Sequence, residues 1–142
     1  MTKALDAQVG GDHYKGTIQP FQFSMANGHD ACTHAVQKYL TRFLKKAGLV
    51  DLQKAHHIVS IRVETMMAYG VHHPPAKPLI GIGDYVRSNK CSGFAAAAIL
   101  AMESWFRTVD TDHHRQADMV RKLIRECAQH HYPDTYKEED FV

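Results

Sequence analysis

Residues 30 to 70 read DACTHAVQKYLTRFLKKAGLVDLQKAHHIVSIRVETMMAYG, and this stretch decides the fold. Ala35, Val36, Tyr39, Leu40, Phe43 and Leu44 recur at the i, i+3, i+4, i+7, i+8 spacing of one helical face. Asp30 stands where an N-cap belongs. Lys45, Lys46 and Gly48 close the helix, with cations against its carbonyl end and then a residue free to take positive φ. Asp51 is expected to cap the next helix, whose inward face is Leu52, Ala55, Ile58, Val59 and Val63 and which runs to Ala68 or Tyr69. The short loop between them makes the pair an antiparallel hairpin.

Working outward, Pro20 suits a first helical position and Asn27-Gly28 a stop, so residues 20 to 27 form a short helix. His72-His73-Pro74-Pro75 through Pro78 breaks the pattern and reads as an extended linker. Beyond it, Asp84 to Asn89 is expected as a short helix, Ser92 to Thr108 as a long one and His113 to His130 as the last. PLIGIGDYV is the only β-like run, short and interrupted by glycine. The closing YPDTYKEEDFV is polar and acidic, and is expected to be loosely held.

The two halves align without a gap when Ile18 is set on Ile80. Phe23 then meets Tyr85, Asn27 meets Asn89, Asp30 meets Ser92, Ala35 meets Ala97 and Phe43 meets Trp105. Few positions are identical, but caps, aromatics and helix lengths agree. The fold class expected is all-α: two helical hairpins, with a possible internal duplication, forming a bundle of four long helices with short extra ones. Residues 1–71 form an arm plus the first hairpin. Residues 79–131 form the second, packed with the first as one domain, and 132–142 the acidic tail.

Composition narrows the function classes. The chain has 142 residues, 44% hydrophobic and 23% charged, with a net charge of +2 when its eleven histidines are neutral. This balance does not demand a nucleic-acid partner and suits a phosphate-bearing small molecule or an acidic protein surface. TRFLKK is the nearest basic run, and its Phe43 and Leu44 belong to the apolar face, so nucleic acid is not expected. MTKALDAQVGG has no apolar h-region, and GFAAAAILAM is too short to span a bilayer. Cys32, Cys91 and Cys127 lie far apart, as reduced thiols do in a cytosol. The expectation is a cytoplasmic protein without a membrane partner. The small residues Ala95 to Ala98 suit a buried central helix or a subunit interface, and a homo-oligomer is expected.

VGGDHYKGTIQP, residues 9 to 20, precedes these helices. With Lys38-Tyr39-Leu40-Thr41-Arg42 and Asp51-Leu52-Gln53-Lys54-Ala55 it resembles the SaV-like family of small bacteriophage proteins. That family's usual pattern is DHYK, IQP, a KY-x-x-R helix core and a DL-x-KA. The match covers residues 9 to about 64. Many members carry Gly-Asn where this chain has Thr33-His34. Most have no assigned activity, and one podophage member resembles a nucleotide kinase acting on deoxynucleoside monophosphates. The resemblance implies a phage-encoded protein of the host cytoplasm with a link to nucleotides.

The candidate chemistry is a set of cations. Lys38 and Arg42 are four apart on one helix face, Lys54 lies one turn into the facing helix, and His13, Tyr14 and Lys15 come from the arm. Together they could grip a phosphate by charge-assisted hydrogen bonds, with Gly10-Gly11 as an anion nest. They read equally as a solvated helix face, with Tyr39 in the core and the arm as packing. No GxxxxGK[ST] and no ExxE occurs, which counts against a P-loop kinase and a pyrophosphohydrolase. Adjacent histidine pairs at 56-57, 72-73, 113-114 and 130-131 have the wrong spacing to chelate one metal. The expected function is therefore a non-catalytic accessory protein binding a nucleotide or a host protein. The alternative is a deoxynucleoside monophosphate kinase without a P-loop, which would use Mg²⁺.

Overall fold

The computed structural model describes residues 3–6, 17–70, 77–108 and 112–142. The described elements are α1 (Lys3–Asp6), α2 (Pro20–Asn27), α3 (Ala31–Arg42), α4 (Leu49–Tyr69), α5 (Ile82–Ser88), α6 (Gly93–Arg107) and α7 (His113–His131). Single 3₁₀ turns follow α3 at Phe43–Lys45 and α7 at Glu138–Asp140, and no strand occurs among the described residues. The protein is an all-α bundle. α3 packs on α4 and α6 on α7 as two hairpins, which join through α3 against α6 and α4 against α7. One core fills the space between them, with Phe23, Leu40, Leu52, Tyr85, Ile99, Met102, Trp105 and Ile124 all fully buried.

The two halves contact each other through equivalent positions. Gln37 donates to the Ile99 carbonyl across the core at 3.0 Å, and these residues are 62 apart in sequence. Phe23 stacks on Tyr85, its counterpart at that same shift, with ring centroids 4.0 Å apart. Asn27 donates to the Ile80 carbonyl at 2.7 Å, and Asn89 donates to the Ile18 carbonyl at 2.9 Å. The exchange is reciprocal between positions that match at that shift, on either side of the Phe23–Tyr85 stack. Backbone geometry repeats as well. Gly28 ends α2 at φ 68°, and Lys90 holds the matching position after α5 at φ 56°. A lysine in the left-handed region is strained relative to glycine, so the repeat keeps the turn where its residue type no longer favours it.

Local details refine the reading from sequence. Asp30 caps α3 as expected, accepting from the Thr33 amide at 2.7 Å. Its other oxygen accepts from Arg62 Nε at 3.0 Å, which ties the start of α3 to the far half of α4. Arg62 is buried and lies 4.2 Å over the Trp105 ring. Asp51, expected as a cap, is instead inside α4, which begins two residues earlier at Leu49. Gly48 takes the cap position at φ 60°, where a Cβ would also press on the Tyr132 hydroxyl at 3.1 Å. Leu44, assigned to the apolar face, is 65% exposed because the chain tightens into 3₁₀ geometry at Phe43 and rotates it outward. Ser92 occupies the N-cap position of α6 without a side-chain bond. α5 starts two residues before Asp84, at Ile82, within the β-like run.

The C-terminal segment is not loose. Phe141 is buried against Tyr136 and the edge of His56, and the Val142 carbonyl bonds to His56 Nδ1 at 3.0 Å. Acidic composition hid this, because one aromatic residue is enough to seat a short segment on a helix pair.

Candidate functional site

The cations predicted from sequence converge on one aromatic ring. Lys38 Nζ and the Arg42 guanidinium both lie 4.9 Å from the centroid of Tyr39, and Lys54 Nζ lies at 5.7 Å. Helical spacing explains the first two, since residues i and i+4 on α3 share a face; the α3–α4 packing brings the third. Each cation gains about 0.5–1 kcal/mol from the ring's negative face at such an exposed site. Tyr39 is half-buried, so its ring is a platform at the surface rather than part of the sealed core.

Arg42 is held from below. Its Nε and Nη2 donate to the two oxygens of Asp51 at 3.3 and 3.4 Å. Asp51 is fully buried and also accepts from the Ala47 amide at 3.4 Å. The carboxylate thus fixes Arg42 by a two-pronged contact while keeping its own charge out of solvent. Lys38 and Lys54 have no carboxylate partner among the described residues. Three cations and one engaged carboxylate leave this face with an excess of positive charge.

The repeat supplies a comparison within the same molecule. The positions that match Lys38, Tyr39, Arg42 and Lys54 in the second hairpin are Leu100, Ala101, Ser104 and Gln116, and His113 matches Asp51. The backbone of a hairpin therefore does not require these cations, because the second hairpin forms without them.

A second polar constellation lies under α2. Ser24 Oγ is 3.0 Å from His29 Nδ1 and 2.8 Å from His34 Nδ1, and His29 Nε2 is 2.7 Å from Glu103 Oε1. Arg107 pairs with the other Glu103 oxygen at 3.3 Å and donates to the Asn27 carbonyl at 3.1 Å. Burial alone would raise the Glu103 pKa, but the His29 hydrogen bond and the Arg107 charge outweigh it and hold the carboxyl below its usual range. Burial, then the Lys38 charge, pushes the His34 imidazole below its ordinary value. Ser24, His29 and Glu103 have the connectivity of a hydrolytic triad. However, the His29 side chain is fully buried and Ser24 is 6% exposed, so no nucleophile is presented to solvent.

Other histidines and the cysteines lie within the packing. His56 is buried between Val142 and Arg125, whose Nη1 is 3.0 Å from its Nε2. Burial takes its pKa down to about 4. Burial pushes the Cys91 thiol up to about 11 and the Cys127 thiol up to about 12, and raises Cys32 as well. Trp105 donates to His113 at 3.1 Å. Among the described residues no group of three His, Cys, Asp or Glu side chains could hold a metal ion. No described helix is long and apolar enough to cross a membrane.

Of the predicted site residues, Lys38, Arg42 and Lys54 come together. His13 and Tyr14, with Lys15 and the Gly10-Gly11 nest, lie outside the described residues. Sequence reasoning placed Tyr39 in the core and Asp51 at a cap, and so missed the ring that gathers the cations and the carboxylate that steadies one of them. An i, i+1, i+4 set of Lys, Tyr and Arg is a usable signal for the first. Nothing local marks the second, or the pairing of His29 with Glu103 across 74 residues.

Fold and site together define an all-α bundle of two hairpins, the first of which carries a half-exposed tyrosine with three cations over its ring. Compared with known proteins, the chain matches no family model, no curated protein and no solved structure.

Proposed function

We propose that this chain is a non-catalytic accessory protein, of the bacteriophage type its motifs resemble, that captures a nucleotide by its phosphate. The observation that carries the reading is the convergence of Lys38, Arg42 and Lys54 on Tyr39, in a repeat whose twin has Leu100, Ser104 and Gln116 instead. Clustered cations repel one another, and a bound phosphate relieves that repulsion by taking charge-assisted hydrogen bonds from each. Arg42 arrives preorganised by Asp51, which lowers the ordering cost of binding. By the resemblance of residues 9 to 20, His13 and Tyr14 are proposed as further phosphate ligands.

The test is a panel of nucleoside mono-, di- and triphosphates with Mg²⁺, read by melting temperature and by product formation. A ligand at about 100 times its Kd raises stability by about 2.7 kcal/mol, a readily measured shift. The expected result is a shift without turnover, lost in the Lys38→Ala/Lys54→Ala variant. Turnover of a monophosphate to a diphosphate would replace this reading with the kinase. No shift from any nucleotide would refute phosphate capture and turn the search to a host protein.

A further inference from the structure

The polar network under α2 is absent from the other half of the molecule. Positions matching Ser24, His29 and His34 are Val86, Cys91 and Ala96, and those matching Glu103 and Arg107 are Thr41 and Lys45. Both seams close the same bundle, one with this ionisable chain and one without it. Closing the bundle therefore does not explain the chain, and its end point does.

The Glu103 carboxylate accepts from His29 Nε2–H, and the Ser24 hydroxyl links His29 Nδ1 to His34 Nδ1. His34 Nε2, the far nitrogen of that ring, is buried with no hydrogen-bond partner among the described residues. A buried polar atom left unpaired is costly, so a ligand group that reaches it gains more than it would from a solvated partner. Phe21 stacks over the ring at 4.5 Å and is itself 63% exposed, so it can turn aside without unpacking the core. His34 is one helical turn, about 6 Å along α3, from Lys38.

We propose that His34 is a specificity-determining residue of the cation face, its Nε2 sharing a hydrogen bond with a ligand hydroxyl one helical turn from the phosphate. The inference rests on the reading of that face as a phosphate site. The ligand class is a phosphate ester carrying a free hydroxyl at about that separation, as the 3′-hydroxyl of a nucleoside 5′-monophosphate is. Ser24, His29 and Glu103 are positioning residues, which hold the ring in place.

Calorimetric titration of adenosine 5′-monophosphate and its 3′-deoxy analogue tests this. The wild-type chain is expected to prefer the hydroxylated ligand by about tenfold, the size of one hydrogen bond to an otherwise unpaired buried atom. His34→Phe keeps the stack with Phe21 and removes the ring nitrogen. It should abolish the preference and leave the affinity for the 3′-deoxy analogue unchanged. Ser24→Ala, which leaves His29 paired with Glu103, should shrink the preference. Equal binding of both ligands by the wild type would overturn the role of His34 while leaving the phosphate site standing. A His34→Phe variant that weakens both ligands equally would also overturn it, assigning His34 to structure. Binding of neither ligand would remove the phosphate reading itself.

Discussion

Asp30 and Arg62 can be exchanged for the solution that the molecule uses in its other half. The matching positions are Ser92 and Ile124, a serine at the cap and an aliphatic residue in place of the cation. In the first half, Asp30 caps α3 and accepts from Arg62 at 3.0 Å, while Arg62 is buried over Trp105 with Nη1 unpaired among the described residues. Asp30→Ser keeps a capping oxygen, so its cost is the partner lost by Arg62. The Asp30 side chain is 43% exposed, which places that cost at the low end for a buried charge, about 1–2 kcal/mol. Arg62→Ile alone leaves the half-exposed carboxylate and loses the contact with Trp105, again about 1 kcal/mol. In the double variant no charge is left behind. It should be no less stable than Asp30→Ser alone and about 1–2 kcal/mol better than the sum of the two singles. Urea unfolding followed by helical circular dichroism measures all four proteins. Additive costs would refute the account of the ion pair and the equivalence drawn from the repeat.

Other expectations follow from the same geometry. His56 binds a proton near pH 6.5 when unfolded but only near 4 when folded, so the unfolded state takes up the proton as pH falls through that window. The full shift corresponds to about 3 kcal/mol, and solvent screening at the edge of the site brings it nearer 2. Stability should therefore fall between pH 6.5 and 4, and His56→Gln should flatten part of that acid limb. Depression of the His34 pKa adds in the same direction. Phe141→Ala, removing a buried ring from the C-terminal segment, should cost about 2–3 kcal/mol in urea unfolding, where a loose tail would cost nothing. The buried, high-pKa Cys127 should resist a disulfide exchange reagent at pH 8 until the chain unfolds, whereas prompt reaction in the native state would contradict its burial.

The parts of this structure legible in sequence are those with a local physical cause. Periodicity at Val36, Leu40, Leu52 and Val59 gave the first hairpin, and the cap at Asp30 and stop at Gly28 gave its boundaries. The alignment of Ile18 with Ile80 picked out residues that touch across the two halves. The shared helix face of Lys38 and Arg42 gave half of the candidate site. What escaped was set by distant packing. Asp51 looks like a cap until the 3₁₀ turn at Phe43 moves the helix start to Leu49. Glu103 carries no local sign of its role until α6 brings it onto His29. His34 stood out only as a departure from the Gly-Asn of the family it resembles, and its significance depends on Ser24, ten residues earlier on another helix.

The most direct test is a structure of the chain with a nucleoside monophosphate bound. The account predicts the phosphate within hydrogen-bonding distance of Lys38, Arg42 and Lys54, above the Tyr39 ring on the first hairpin. A nucleotide seated against Leu100 and Gln116 on the second hairpin, or away from both, would contradict it.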